Sequence, residues 1–142
     1  MTQYYIGVKQ VQAWEAEKDG KAGYGVKYPD GYISWSPKEV FESAYFPMGK
    51  PADPSSGQDP SRVTADMVHR FMEGTETTRM GNHTVVLVRL KNGFTLVVDS
   101  ACVDAANYDE AIGESIAMER AEVKVWELLG FLLATARNGI KK

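Results

Sequence analysis

The chain has 142 residues, 44% of them hydrophobic, and its 16 basic and 19 acidic residues give a formal net charge of −3. This length suits one ordinary domain or two very small ones, and the hydrophobic content excludes a compositionally disordered chain. The acidic balance also argues against a nucleic-acid binder that works through a general excess of positive charge.

Targeting and redox features of the sequence favour the cytoplasm. Cys102 is the only cysteine, so no intramolecular disulfide can form and a reducing compartment fits. The first ten residues lack the basic start and long apolar run of a secretion signal. The most apolar stretch, Leu128 to Ala134, is too short to span a bilayer, so we expect no membrane partner.

The first segment, residues 1–47, has the pattern of a small antiparallel sheet followed by one helix. Pro29-Asp30-Gly31 is a turn signal between two β-rich runs. Ser36 and Glu39 have capping-box spacing with Pro37 between them, which predicts a helix running to about Tyr45. Three strands are predicted before it, over Tyr4–Trp14, Tyr24–Tyr28 and Tyr32–Trp35.

A proline-rich stretch separates this segment from the rest. Four of the six prolines lie between Pro47 and Pro60, in PMGKPADPSSGQDP, where no periodic apolar pattern survives. This composition predicts a linker over residues 48–60, between an N-terminal module of residues 1–47 and a C-terminal domain of residues 61–142.

The C-terminal domain is predicted to be α-β-β-α, which makes the whole chain α+β. Thr64 caps a first helix that should end at Gly74. The runs Thr84–Leu90 and Phe94–Ser100 flank Asn92-Gly93, a strong hairpin signal. A two-residue loop would place Leu87 opposite Val98 and make both faces of the hairpin largely apolar.

A long helix is predicted from a capping box at Asn107–Glu110 to about Asn138, with Gly139 as its end. One stripe of it contains Ile112, Ile116 and Val123, and its second half is apolar around nearly the whole circumference. Such a helix must be buried on all sides. We therefore expect the helix to pack against another chain, the N-terminal module or both. The simpler choice is a homo-oligomer assembled through an interface of Val125, Trp126, Leu129, Leu132 and Leu133.

The segment from Val63 to Gly139 resembles a family of short accessory proteins of tailed phages, found in enterobacterial podophages and many prophages. The resemblance rests on TVVLVRLKNGFTLVVDSACVDAANYDEAIG, followed by MERAEVKVWELLGFLLATARNG. Ala105 departs from the family, which commonly has proline there. The matching positions are Asn92, Gly93, Phe94, Ser100, Ala101, Cys102, Val103, Asp104, Asn107, Tyr108, Asp109, Trp126, Glu127 and Leu128.

The N-terminal segment is similar to a small module at the front of several phage accessory proteins. The residues that carry this similarity are GYGVKYPDGYISWSPKEVFESAYFP, from Gly23 to Pro47. Some proteins with a related front module resemble phage inhibitors of bacterial defence, including sponges for nucleotide signals. The resemblance of the chain as a whole implies no particular activity.

No residue pattern indicates catalysis or metal binding. A reactive Cys102 would need a basic partner, and neither His69 nor His83 is near it in sequence, so we expect a small buried residue that closes the hairpin. The two histidines lack further ligands at zinc spacing. We predict no catalytic residue, no metal and no cofactor.

Several polar and aromatic residues are candidates for binding. Asp99 and Glu119 fall among apolar residues, where such carboxylates could do acid–base work, hold Mg²⁺ or, as we favour, form ion pairs with Arg89 or Arg120. The aromatic residues of the first module could stack bases, anchor a protein partner or simply form its core. The predicted binding set is Tyr24, Lys27, Tyr28, Tyr32, Trp35, Asp99 and Glu119.

From these features we expect a phage-encoded, non-enzymatic binding protein that inhibits a host defence component in the cytoplasm of the infected bacterium. One alternative is a sponge that sequesters a nucleotide signal. The other is a nucleic-acid-binding accessory protein, which the acidic charge makes the weaker choice. The expected partners are therefore a host protein or a small nucleotide ligand.

Overall fold

The computed structural model describes residues 1–49 and 59–141, so most of the predicted linker over residues 48–60 lies outside the described part. The architecture is α+β, as predicted. Backbone contacts divide the chain into two compact units. One unit contains Met1–Ser61 with Phe131–Lys142, and the other contains Arg62–Gly130.

The first unit is built on a three-stranded antiparallel sheet in the order β1-β2-β3. Its elements are β1 (Gln12–Glu15), β2 (Gly23–Lys27), β3 (Ile33–Pro37) and helix α1 (Lys38–Ala44). The first strand is much shorter than predicted, and Tyr4 and Tyr5 are exposed instead. The last residues of the chain belong to this unit, where Arg137 Nη1 donates to Gln10 Oε1 at 3.1 Å and to the Pro60 carbonyl at 3.0 Å.

The predicted capping box of α1 is wrong. Ser36 pairs with Tyr24 in the sheet, so β3 stays extended through Pro37 and the helix begins one residue later than predicted. Pro37 is the N-cap residue and supplies no side-chain hydrogen bond. The Ser36 hydroxyl instead donates to the Pro37 carbonyl at 3.3 Å.

The second unit contains a second antiparallel sheet, in the order β4-β5-β6. Thr64 caps its first helix as predicted, because its side chain accepts a hydrogen bond from the Met67 amide. The elements are α2 (Ala65–Phe71), β4 (Met72–Met80), β5 (His83–Leu90), β6 (Thr95–Ala101), a 3₁₀ turn (Ala105–Asn107) and α3 (Glu110–Asn138), which continues into the first unit.

Strand β4 extends the predicted α-β-β-α order to α-β-β-β-α. Helix α2 ends at Phe71, and Gly74, predicted to end it, lies inside the strand at a bulge next to Met72. The sequence of β4 reads MEGTETTRM and has almost no apolar alternation. An outer strand of a sheet needs only one partner and can remain polar, so its pattern is weak.

The hairpin register differs by one residue from the prediction. Its loop has three residues, because the Leu90 amide donates to the Phe94 carbonyl at 2.8 Å and Gly93 adopts a φ of 85°. Leu87 therefore faces Val97 and not Val98. The shift gives a clean alternation, with one buried face that contains Thr84, Val86, Val88, Leu90, Val98 and Ser100.

Helix α3 packs through a stripe of small residues. Asp109, not Asn107, caps it by accepting from the Ile112 amide at 3.2 Å. The predicted stripe through Ile112, Ile116 and Val123 is exposed. The buried residues recur every fourth position, at Ala117, Ala121, Val125 and Leu129.

The start of α3 lies directly against the second sheet. The Ser100 hydroxyl donates to the Gly113 carbonyl at 2.6 Å. A Cβ at Gly113 would collide with the Thr84 hydroxyl and lie 2.8 Å from the Thr84 Cβ. Gly139 ends the helix with a φ of 68°, as predicted. No helix in residues 1–49 or 59–141 has the length and apolar character needed to cross a membrane.

Candidate functional site

Helix α1 covers one face of the first sheet, and two tryptophan side chains lie on the other face. Trp14 and Trp35 both pair with Gly25, from strands on either side of it. Directly opposed residues of an antiparallel sheet share a face, and side chains alternate along each strand. We call this the indole face, and its members are Gln12, Trp14, Gly23, Gly25, Lys27, Ile33, Trp35 and Pro37.

Glycine at two positions of β2 lets the indoles lie directly on the backbone. A Cβ at Gly25 would lie 2.5 Å from Nε1 and 2.6 Å from Cζ2 of Trp14. A Cβ at Gly23 would lie 2.6 Å from Cε2 of Trp35. The Trp35 ring is also oriented by its Nε1, which donates to the Ala16 carbonyl at 2.8 Å. The two rings are therefore held against the backbone of β2.

The indole face is partly open and carries unpaired positive charge. Trp14 is 46% exposed and Ile33 is 57% exposed. The ammonium of Lys18 lies 5.8 Å from the centroid of the Trp35 ring. In the described residues, neither Lys18 nor Lys27 forms an ion pair. Such a surface can accept a flat or apolar group and a negative charge beside it.

The opposite face contains a tyrosine cluster that packs against α1. The Tyr24 and Phe41 rings are stacked with centroids 4.4 Å apart, and Phe41 stacks on Tyr45 at 4.8 Å. Tyr28 and Tyr32 are stacked at 6.0 Å. Four of these five rings are half-buried, whereas Val26 on the same face of β2 is buried.

Two tyrosines of this cluster have perturbed acidity. The Tyr24 hydroxyl donates to Glu42 Oε1 at 2.8 Å, and this hydrogen bond raises the pKa of Tyr24. Burial raises the pKa of Tyr45, with a smaller contribution from neighbouring Tyr28. In both cases the neutral phenol is favoured over the phenolate.

The predicted binding residues of the first module thus divide between two faces. Trp35 and Lys27 lie on the indole face, whereas Tyr24, Tyr28 and Tyr32 lie on the opposite face. Sequence reasoning missed Trp14, the most exposed indole of the indole face. The available signal was the Gly-x-Gly spacing at residues 23–25, which marks close approach to a strand backbone.

The two remaining predicted binding residues belong to the second unit. Asp99 lies opposite Val85, and its Oδ2 is 3.0 Å from Nδ1 of His83. Glu119 is exposed on α3. The suggested arginine partners are used elsewhere: Arg89 pairs with Glu76 at 2.6 Å, and Arg120 donates to the Asp99 carbonyl at 2.6 Å.

The cysteine and His69, which belong to the residue types most used in catalysis, contact backbone carbonyls and a carboxylate. Cys102 is half-buried, with Sγ 3.3 Å from the Asp104 carbonyl and 3.5 Å from the Asn82 carbonyl. His69 Nε2 lies 3.3 Å from Glu122 Oε1. Across the part of the chain that the structure describes, no three His, Cys, Asp or Glu side chains are grouped as metal ligands.

The predicted oligomer interface needs correction at two positions. Val125 and Leu129 are buried within the chain itself, so they are not available to a second copy. Trp126 and Leu132 are partly exposed and Leu133 is half-buried. A different set of exposed apolar residues lies along α3, and we call it the outer stripe: Ile112, Ile116, Val123 and Trp126.

Comparison with known proteins gave one match. The family model described as the phage protein (N4 Gp49/phage Sf6 gene 66) family matches residues 58–137, which is more than half of the chain. Searches of the curated proteins and of the solved structures found no significant match.

Proposed function

The chain belongs to the phage protein (N4 Gp49/phage Sf6 gene 66) family, and we propose that it is a non-enzymatic binding protein. Its target would be a host defence component, which it would inhibit. It would act in the cytoplasm of the infected bacterium. Residues 1–47 would be the binding module.

The observation that carries this proposal is the indole face. Tryptophan is enriched among the residues that dominate binding energy at protein interfaces, and rings that are already held in place lose little entropy on binding. Trp14 and Trp35 meet both conditions, because they lie on Gly25 and Gly23 and remain partly accessible. Lys18 and Lys27 beside them favour an acidic partner surface.

A nucleotide signal is the second candidate ligand, and the same face supports it. A base can stack on an indole with a contribution of about 1–3 kcal/mol, and an adjacent ammonium can meet a phosphate. Lys18 lies over the Trp35 ring in a suitable place for that contact. A nucleic-acid polymer is the weaker alternative, since the net charge of −3 opposes binding along a phosphate backbone.

The test is a capture experiment with matched variants. The full chain, its Trp14→Ala variant and its Tyr4→Ala variant are used to capture material from host lysate, which is analysed for proteins and small molecules. Tyr4 is the control because it is an exposed aromatic residue that does not lie on the sheet. We expect Trp14→Ala to lower capture at least tenfold and Tyr4→Ala to leave it unchanged.

Thermal shift against cyclic dinucleotides and NAD-derived signals separates the two ligand classes, because a ligand that binds only the folded state raises the melting temperature. A shift with a nucleotide that Trp14→Ala abolishes would favour the sponge over the protein inhibitor. Equal capture by the wild-type chain and Trp14→Ala would contradict the indole face as the binding surface.

A further inference from the structure

The outer stripe of α3 lies on the side of the helix that faces away from its own sheet. At about 100° per residue, Ile112, Ile116, Val123 and Trp126 fall within a sector of about 80°. The buried residues Ala117, Ala121 and Val125 lie roughly opposite that sector. All of these positions precede Gly130, so the stripe belongs entirely to the second unit.

The exposure of the outer stripe is large for residues of its type. Ile112 is 60% exposed and Val123 is 58% exposed, while Ile116 and Trp126 are each 40% exposed. Isolated exposed apolar residues need no explanation, but four of them along one helix face, interrupted only by Glu119, form a surface suited to a partner. The kind of partner follows from the spacing and the charges of this row.

The spacing of the row is that of a helix that pairs with another helix. Ile112, Ile116, Glu119, Val123, Trp126 and Gly130 follow one another at alternating intervals of four and three residues. This alternation is the repeat of the apolar seam in a two-helix coil. Glu119 is the one polar member, and Gly130 has no atom within 4 Å of the position that a Cβ would occupy.

We propose that the outer stripe pairs two copies of this chain with their α3 helices antiparallel. The orientation follows from the residues that flank the seam. In a parallel pair Glu122 would lie beside the partner's Glu127, which places like charges together. In an antiparallel pair Arg120 lies beside the partner's Glu127, and symmetry forms this attractive contact twice.

The same alignment places complementary shapes opposite one another. When the two-fold axis lies between residues 124 and 125, Val123 packs on the partner's Trp126. The two-fold symmetry forms this contact twice. Gly130 then faces the partner's Glu119, and the missing side chain leaves room for the glutamate to reach water. The one polar residue of the seam is thereby accommodated without burial of an unpaired charge. This pairing does not depend on the proposed function.

Cysteine cross-linking distinguishes the arrangements. Val123→Cys and Ile116→Cys are each introduced into a Cys102→Ser chain and treated with a short thiol cross-linker. In the antiparallel pair the two copies of residue 123 are about three residues apart along the helix axis, roughly 5 Å. The two copies of residue 116 are about seventeen residues apart, roughly 25 Å. We expect a covalent dimer from Val123→Cys alone.

Light scattering and sedimentation of the wild-type full chain provide the second readout. We expect a dimer whose dissociation constant rises at least tenfold in Val123→Glu, while the exposed position leaves the circular-dichroism spectrum unchanged. Lys124→Glu, on the same helix outside the seam, is the matched control and should leave dissociation within about twofold of wild type. Efficient cross-linking of both cysteine variants would overturn the antiparallel orientation. A wild-type chain that remains monomeric at every concentration would overturn the pairing itself.

Discussion

Replacement of Gly113 by alanine tests the packing of α3 on the second sheet. The added Cβ would collide with the Thr84 hydroxyl, lie 2.8 Å from the Thr84 Cβ and lie 3.3 Å from the Ser100 hydroxyl. Thr84 and Ser100 are both buried, so neither can move away into solvent. The helix must therefore shift outward or the strands must distort.

The expected magnitude is a balance of two effects. Overpacking of a buried site costs about 1–3 kcal/mol. Exchange of glycine for alanine in a helix returns up to about 1 kcal/mol. We expect Gly113→Ala to lower the free energy of unfolding of the second unit by about 1–2 kcal/mol. Gly130→Ala, where no atom of the same chain lies within 4 Å, should instead stabilise the helix of the monomer by up to about 1 kcal/mol.

The assay is urea unfolding followed through the fluorescence of Trp126, in a chain where Trp14 and Trp35 are replaced by phenylalanine. Trp126 is then the only tryptophan, and it reports on the second unit. Thr84→Ala removes the hydroxyl that obstructs the new methyl group, so the double variant should recover about 1 kcal/mol relative to additive behaviour. A Gly113→Ala chain at least as stable as wild type would refute the close approach of helix and strand.

Two further perturbations test local contacts. Asp109→Ala removes the oxygen that accepts from the Ile112 amide and should cost about 1 kcal/mol in chemical unfolding, whereas Ser36→Ala should cost almost nothing because its hydroxyl caps no helix. Equal losses would contradict this difference. The pKa of Tyr24 is raised, so its proton is held more tightly in the folded state than in the unfolded state. The stabilisation that this gives the fold is complete below the unfolded pKa of about 10 and is lost as pH rises through the folded pKa. Ultraviolet titration of tyrosinate should show late ionisation by Tyr24 and Tyr45, and Tyr24→Phe should remove absorbance from that late part of the curve. If the absorbance is lost from the tyrosines that ionise normally, the Glu42 hydrogen bond is disproved.

The sequence predicted those parts of the fold that depend on local and periodic signals. Thr64 as a helix cap, Gly139 as a helix end and the hairpin around Gly93 all depend on residues close in sequence. Strand β4 escaped prediction because a polar outer strand is specified by its pairing with β5, which lies outside its own sequence.

The error on α3 has a different cause. Large apolar residues such as Ile112 and Val123 predict the buried side by their hydrophobicity, but close packing against a sheet favours small residues that let the helix approach. Ala117 and Ala121 carry little hydrophobic signal and are nevertheless fully buried. The same bias hid Gly23 and Gly25, whose role depends on tryptophans from two other strands. A large apolar side chain is therefore a good predictor of burial only where the helix and the sheet are far enough apart to hold it.

The small residues that bring α3 close to its sheet also recur with the period of the helix. A helix with equivalent contacts at Ala117 and Ala121 could slide along the strands by one turn, about 5.4 Å, and bury nearly the same surface. The Ser100 hydroxyl and the Thr84 side chain meet the helix at Gly113, where an added Cβ would collide with Thr84. These two polar side chains select one axial position from several that the hydrophobic effect scarcely distinguishes, and so determine which residues α3 presents on its outer side.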